Sequence, residues 1–85
     1  MEKRIAVMSI IVEKSNSAST LNNILHEASH FIIGRMGIPY REKNISVISV
    51  VVDAPQNEIS ALSGKIGNLD GVTVKTAYSN VISHE

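Results

Sequence analysis

The sequence predicts an α+β fold in which a four-stranded antiparallel sheet carries two helices on one face. Two stretches, Ile5–Glu13 and Ile45–Asp53, are apolar at nearly every position, which is typical of strands buried on both faces. Two segments with helical spacing of apolar residues separate the predicted strands, so the element order is βαββαβ. Right-handed crossovers through both helices give the strand order 4-1-3-2, with the two apolar strands in the centre.

Size and charge limit the classes of function. The chain of 85 residues is expected to form one domain, residues 1–85, with a thin core. It has no cysteine, which excludes disulfides, thiolate metal ligands and a cysteine nucleophile. Its eight basic and eight acidic residues cancel without forming a block of like charge, which argues against direct nucleic-acid binding. Since neither a signal peptide nor an apolar run of about 18 residues is present, we expect a cytoplasmic protein without a membrane span.

The first helix gives the strongest periodic signal in the chain. Polar residues 14–19 predict a loop after the first strand, and Ser17 or Ser19 is the expected N-cap. The helix is predicted from Ala18 to Ile33, because apolar residues recur along one of its faces. Gly34 follows, where a helix end favours a glycine in the left-handed conformation. The apolar positions are Leu21, Ile24, Leu25, Ala28, Phe31 and Ile32.

The segment GRMGIPYREK, residues 34–43, predicts a tight loop followed by an edge strand around Ile38–Glu42. Its proline has no amide hydrogen to donate, and its charged side chains discourage further strand pairing. This strand therefore belongs at the edge of the sheet, while the apolar strand Ile45–Asp53 that follows it belongs in the centre.

The second helix is predicted to begin at Pro55, which presets the backbone for a first helical turn, and to end at Gly67. The last strand is predicted over Val72–Tyr78, where apolar and polar residues alternate and indicate a half-exposed strand. Whether residues 79–85 extend the pairing of this strand or contact another subunit stays open.

One face of the predicted sheet has no helix to cover it, because both helices of a βαββαβ unit lie on the same side. At about 50–80 Å² for each of six side chains, the uncovered patch measures about 300–500 Å², near the largest seen on monomers. We therefore expect a homo-oligomer that associates through the helix-free sheet face, with cover by long flanking side chains or by the C-terminal tail of the same subunit as the alternative. The uncovered set is either Ile5, Val7, Ile11, Ile45, Val47 and Val51 or the complementary set of the same strands.

Two histidines form the first candidate site. His26 and His30 are four residues apart on the predicted helix, so their Cβ atoms lie about 5–6 Å apart and can supply two metal ligands. With Glu27, the segment HEASH satisfies the HExxH pattern of zinc proteases, which suggests a metal-dependent hydrolase. The chain offers only His84 as a further histidine and is too short to wall a substrate cleft. A solvated helix face explains these residues equally well.

The segment GRMGIPY, residues 34–40, is the second candidate site. Its glycines let backbone amides approach a ligand or another chain, and its arginine is suited to bind a carboxylate or phosphate. Its spacing differs from the phosphate-binding patterns GxGxxG and GxxxxGK. The alternative, that the segment only turns the chain and packs at a subunit contact, stays open. The candidate ligand-binding or subunit-contact residues are Gly34, Arg35, Met36, Gly37 and Tyr40.

Residues 34–79 resemble a known family in three segments: GRMGIPYRE, VISVVVDAP at the junction of strand and helix, and ALSGKIGNLDGVTVK. They are similar to the regulators of the iron-only hydrogenase system, and with the first strand and helix the resemblance covers nearly the whole chain. That family in turn resembles ACT-like domains and the C-terminal regulatory domain of the nickel-responsive repressor.

This resemblance implies a ferredoxin-like fold, a homo-oligomer joined through its sheets, and a non-enzymatic regulatory or ligand-sensing role. The ligand residues do not carry over. ACT domains usually have a glycine in the loop after the first strand, the nickel-responsive domain uses a cysteine, and this chain has neither. The cofactor is therefore unknown, and both a small ligand and a metal stay open. We expect a module that acts on a separate DNA-binding or maturation partner, with a structural or partner-binding oligomer without ligand as the alternative.

Overall fold

A computed structural model describes residues 2–84, with side chains described through residue 81. The strands form one antiparallel sheet in which the second, third, first and fourth strands of the chain lie side by side, so the predicted topology is confirmed. Within residues 2–84, no helix is long and apolar enough to cross a membrane. The strands and helices are β1 (Glu2–Val12), α1 (Ala18–Glu27), β2 (Ile32–Tyr40), β3 (Ile45–Ala54), α2 (Gln56–Gly67) and β4 (Val72–His84), with short 3-10 turns at Ser15–Ser17, Ser29–Phe31 and Arg41–Lys43.

The core lies between the sheet and the two helices. On the central strands, Met8 pairs with Val50 and Ile10 with Ile48, and their side chains point towards the helices. From the helices, Leu21 and the other apolar side chains of the predicted stripes close over them. Removing these side chains from water is the main favourable contribution to folding. The fully buried large side chains are Met8, Ile10, Leu21, Leu25, Val50, Val52, Ile59 and Ile66.

Helix α1 is shorter than predicted, which corrects the interval Ala18–Ile33. It ends at Glu27, a 3-10 turn covers Ser29–Phe31, and the chain is extended from Ile32 onwards. Ile32 and Ile33 are β-branched and suit a strand, and Ile32 pairs with β3. Phe31 and Ile32 pack against the core from non-helical backbone, so they continue the apolar stripe without continuing the helix.

The edge strand is longer than predicted and includes the segment expected to be a loop. β2 pairs with β3 from Ile32 to Tyr40, whereas the prediction placed the strand around Ile38–Glu42. Gly34 lies within the strand and does not take the left-handed conformation of a helix end. Asn44 has φ of 56° and makes the turn into β3. Asparagine tolerates this left-handed conformation, which directs the chain from β2 into β3.

Two other local predictions are corrected or extended. Ser17 occupies the N-cap position of α1, but its hydroxyl donates a hydrogen bond of 2.6 Å to the Asp70 carbonyl instead of capping the helix. β4 continues beyond Tyr78, and its pairing with β1 reaches His84 after an irregularity opposite Ile5. The segment after Tyr78 therefore extends the sheet, one of the two alternatives left open for the tail.

Candidate functional site

The side of the sheet that faces away from the helices, called the free face below, carries the first of the two possible sets of apolar residues. The complementary set is buried: Ala6, Met8, Ile10 and Val12 of β1, and Ile48, Val50, Val52 and Ala54 of β3, are all 9% exposed or less. The large apolar and aromatic side chains that β1, β2 and β3 place on the free face are Ile5, Val7, Ile11, Met36, Ile38, Tyr40, Ile45, Val47 and Val51.

The register arranges the free face in rows that run across the strands. Val7 of β1 pairs with Val51 of β3 and Ala77 of β4, and Ile11 of β1 pairs with Val47 of β3. Val7, Ile11 and Val47 are 37–39% exposed, and Met36, Ile38 and Tyr40 of β2 are 45–62% exposed. The free face therefore carries a continuous row of partly exposed apolar side chains, a feature typical of interaction surfaces.

The segment GRMGIPY is divided between the two faces, because successive side chains of a strand point to opposite sides. Gly34, Met36 and Tyr40 lie on the free face, whereas Arg35 and Gly37 lie on the helix side, where they pair with Val50 and Ile48 of β3. The five candidate residues therefore do not converge on a single site. Each face of β2 has its own surface.

A groove of about 260 Å³ lies on the helix side, between α1 and β2. Its floor is apolar and includes Leu21 and Ile48, and Gly37 leaves it open because it has no side chain. At the rim, Arg35 Nη2 donates a hydrogen bond of 3.0 Å to Asn22 Oδ1. An apolar floor with a guanidinium at its rim suits a small molecule with an apolar body and an acidic group.

The sequence did not indicate the contribution of α1 to this groove. Asn22 and Ala18 lie outside the predicted stripe and no motif includes them, although both line the groove. Both residues reach the groove only because α1 packs close to β2, and the start of β2 was not predicted. No local pattern of residue types encodes that approach.

The two histidines do not share a helix. His26 is in the last turn of α1, whereas His30 lies in the 3-10 turn that follows. His30 stacks at a tilt on Phe31 with 4.0 Å between ring centroids, in a hollow shared with α2, and His26 lines a separate hollow beside Arg35. Within the described part of the chain, no three histidine, aspartate or glutamate side chains come together as a metal site would require.

Comparison with known proteins identifies one family. The sequence profile of the TM1266-like family, described as a proposed regulator of the iron-only hydrogenase system, matches residues 4–76. Protein TM1266 from Thermotoga maritima has a similar structure, with a TM-score of 0.86 and 38% sequence identity over 89% of this chain and 96% of that chain.

More distant structures share the fold alone. A formyltetrahydrofolate deformylase from Pseudomonas putida KT2440 gives a TM-score of 0.65 at 11% identity over 91% of this chain and 29% of that chain. CPII from Thiomonas intermedia K12, a nitrogen regulatory PII-like protein bound to ADP, AMP and bicarbonate, gives 0.52 at 13% identity over 94% of this chain and 99% of that chain. No curated protein matches the chain.

Proposed function

The chain belongs to the TM1266-like family of proposed iron-only hydrogenase system regulators, and we propose that it is a non-enzymatic regulatory module that works as a homo-oligomer. Its fold is ferredoxin-like, with a ligand-sized groove on one side of the sheet and an apolar surface on the other. The groove would sense a small ligand, and the free face would join the subunits. With no excess of positive charge, the module would act through a protein partner rather than by binding nucleic acid itself.

The free face is the observation that carries this proposal. Val7, Ile11 and Val47 occupy the two central strands, yet each is more than a third exposed. An assembly that buried about 300–500 Å² of apolar surface per subunit would gain about 7–12 kcal/mol before the cost of association. That gain is comparable with the whole stability of a small domain, which favours a face covered by a second copy.

Light scattering coupled to gel filtration tests the oligomer. We expect the wild-type protein to elute as an oligomer at micromolar concentration and Val47→Glu to elute as a monomer, because the carboxylate would have to be buried in the contact. Ser60→Glu adds the same charge to the exposed surface of α2 and is the matched control. Circular dichroism verifies that both variants are folded. A wild-type monomer would contradict the proposal.

The groove between α1 and β2 supports the sensing part of the proposal. A panel of short carboxylic acids and inorganic phosphate can be screened by the shift in melting temperature, since a ligand that binds only the folded state stabilises it. Gly37→Leu, which fills the groove, and Arg35→Met, which removes the guanidinium, should each abolish the shift. Lys43→Met, an exposed site that does not line the groove, should retain it. If no acid or phosphate binds, an oligomer without ligand becomes the better description.

A metal-dependent hydrolase receives no support from the arrangement of the residues. The HExxH motif of zinc enzymes needs both histidines on one continuous helix, and α1 ends at Glu27, between them. Metal binding by His26 and His30 stays a separate prediction. Zinc titration of the wild-type protein and of His26→Ala tests this metal binding. Equal zinc affinity of the two proteins would contradict a role for the histidines.

A further inference from the structure

Two charged side chains on the free face have no partner among the described residues. Asp53 is the next residue after Val51 on the free face of β3. On β4, Lys75 lies between Thr73 and Ala77 on the same face, so both charged side chains point away from the helices. Asp53 Oδ1 is shielded from solvent and accepts no hydrogen bond within the described residues. Among these residues, the only ion pair between two described side chains is Lys14 with Asp70, so Asp53 and Lys75 are not paired with each other or with a described neighbour. Lys3, which alternates onto the same face, already has an interaction of its own.

We infer that these two charges pair across a two-fold contact between two copies of the chain, Asp53 of each copy with Lys75 of the other. The inference rests on the homo-oligomer proposed above and names its contact. A contact that covers the free face takes both charges out of water, and a buried charge is tolerated only when it is paired. In a two-fold contact the same surface meets itself, so one anion and one cation on that surface satisfy each other twice.

The register places the centre of this contact. Asp53 is opposite Ile5 on β1, Lys75 is opposite Ser9, and Val7 lies midway between those two residues of β1. β1 itself lies between β3 and β4 in the sheet, so Val7 is at the midpoint between Asp53 and Lys75. When two residues exchange places across a two-fold axis, the axis passes through their midpoint. Val7 therefore packs against its own copy in the partner subunit.

The direction of the two-fold axis follows from the positions of Asp53 and Lys75. The axis lies parallel to the sheets and perpendicular to the line from Asp53 to Lys75, so it crosses β1 obliquely at Val7. Ile11 is four residues further along β1, about 13 Å from Val7 at the rise of a strand. It lies on the same face with nearly the same exposure, 39% against 37%, but far from the axis. The two positions are a matched pair for measuring where the axis runs.

Cysteine cross-linking measures the position of the axis. The chain has no cysteine, so Val7→Cys and Ile11→Cys each introduce a single thiol. Sheets packed face to face lie about 10 Å apart, too far for a disulfide but within reach of a short bismaleimide, and only a residue near the axis comes that close to its own copy. With this reagent we expect Val7→Cys to form a covalent dimer at least about tenfold faster than Ile11→Cys. Equal rates, or a faster Ile11→Cys, would overturn the inferred contact.

Charge reversal tests the pair itself. Asp53→Lys and Lys75→Asp should each raise the dissociation constant of the oligomer by about tenfold or more, because each places like charges together. The double variant restores opposite charges and should recover to within about threefold of the wild type. If the wild type associates but the double variant is weaker than either single variant, the pairing is wrong and the oligomer stands. If the wild type is monomeric in light scattering, the proposed function fails first, and the inference with it.

Discussion

The two faces of the sheet are built from similar side chains and differ in what covers them. On β1, Ile10 is fully buried under the helices, while its neighbour Ile11 is 39% exposed on the free face. β3 repeats the contrast with Val50 and Val47. The covered face is buried by helices of the same chain, whereas the free face leaves apolar side chains of the same kinds partly exposed at the surface. Such a face is suited to a contact that forms after the subunit has folded.

Polar residues distinguish the faces better than apolar ones do. The free face carries Ser9 and Ser49 opposite each other, with Lys75 beside Ser9 on β4 and Asp53 towards the end of β3. The covered side of the central strands carries only apolar residues between Ala6 and Val12 and between Ile48 and Ala54. A hydroxyl or charge on that side would be buried without water, at a cost that the free face avoids. Ser9 and Ser49 thus lie on the side away from the helices, whereas Ser46, near the start of β3, lies on the helix side and lines the groove.

The largest expected effect comes from truncating adjacent isoleucines on opposite faces. Ile10→Ala should lower the free energy of unfolding by about 2–5 kcal/mol, because it leaves a cavity under the helices. Ile11→Ala should lower it by less than half as much in dilute protein, since the side chain is already partly in water. Urea denaturation at several protein concentrations measures both.

The dependence of the stability loss on protein concentration shows whether Ile11 is covered in an oligomer or stays exposed to water. If the free face is covered in an oligomer, the loss caused by Ile11→Ala grows with protein concentration, because association stabilises the wild type more than the variant. The loss caused by Ile10→Ala should depend much less on concentration. Equal losses for the two variants in dilute protein would contradict the assignment of the faces.

A smaller effect is expected from two serines. Ser17 is buried, and its hydroxyl donates to the Asp70 carbonyl at 2.6 Å, which links the start of α1 to the turn before β4. Ser17→Ala should destabilise the protein by about 1–2 kcal/mol, because the carbonyl loses its donor. Ser9 is exposed on the free face, so Ser9→Ala should change the stability of the dilute protein by less than about 0.5 kcal/mol. Thermal unfolding of both variants tests the contrast, and a large effect at Ser9 would show that its hydroxyl has a partner.

The topology could be predicted because it depends on patterns that only one arrangement satisfies. Two strands that are apolar on both sides must be central, and a proline-containing strand must be at an edge. The end of α1 could not be predicted in this way. Phe31 and Ile32 have the spacing of a helix stripe and do pack on the core, but they reach it from extended or 3-10 backbone. Pairing with β3 overrides the helical periodicity there.

The candidate site was harder to predict than the fold. Gly34 and Gly37 suggested a loop before the edge strand, although neither glycine has a positive φ and both lie in β2. Because successive side chains of a strand point to opposite faces, Arg35 lies on the side of the groove and Met36 lies on the free face. The hydrogen bond from Arg35 to Asn22 joins residues of different elements, so it depends on packing rather than on a motif.

The smallest expected effects come from the two glycines of β2, one on each face. An added Cβ at Gly37 would lie 3.9 Å from Ile48 Cγ1, an ordinary contact, and one at Gly34 would have nothing within 4 Å. Both alanine variants should stabilise the isolated chain, by about 0.4–1 kcal/mol, because alanine has less backbone freedom than glycine in the unfolded state. Gly37→Ala should gain slightly more, since its methyl group packs against Ile48 on the covered side. Urea denaturation in dilute protein measures this difference, and a loss of stability for Gly37→Ala would mean that the helix side of β2 has no room for a methyl group.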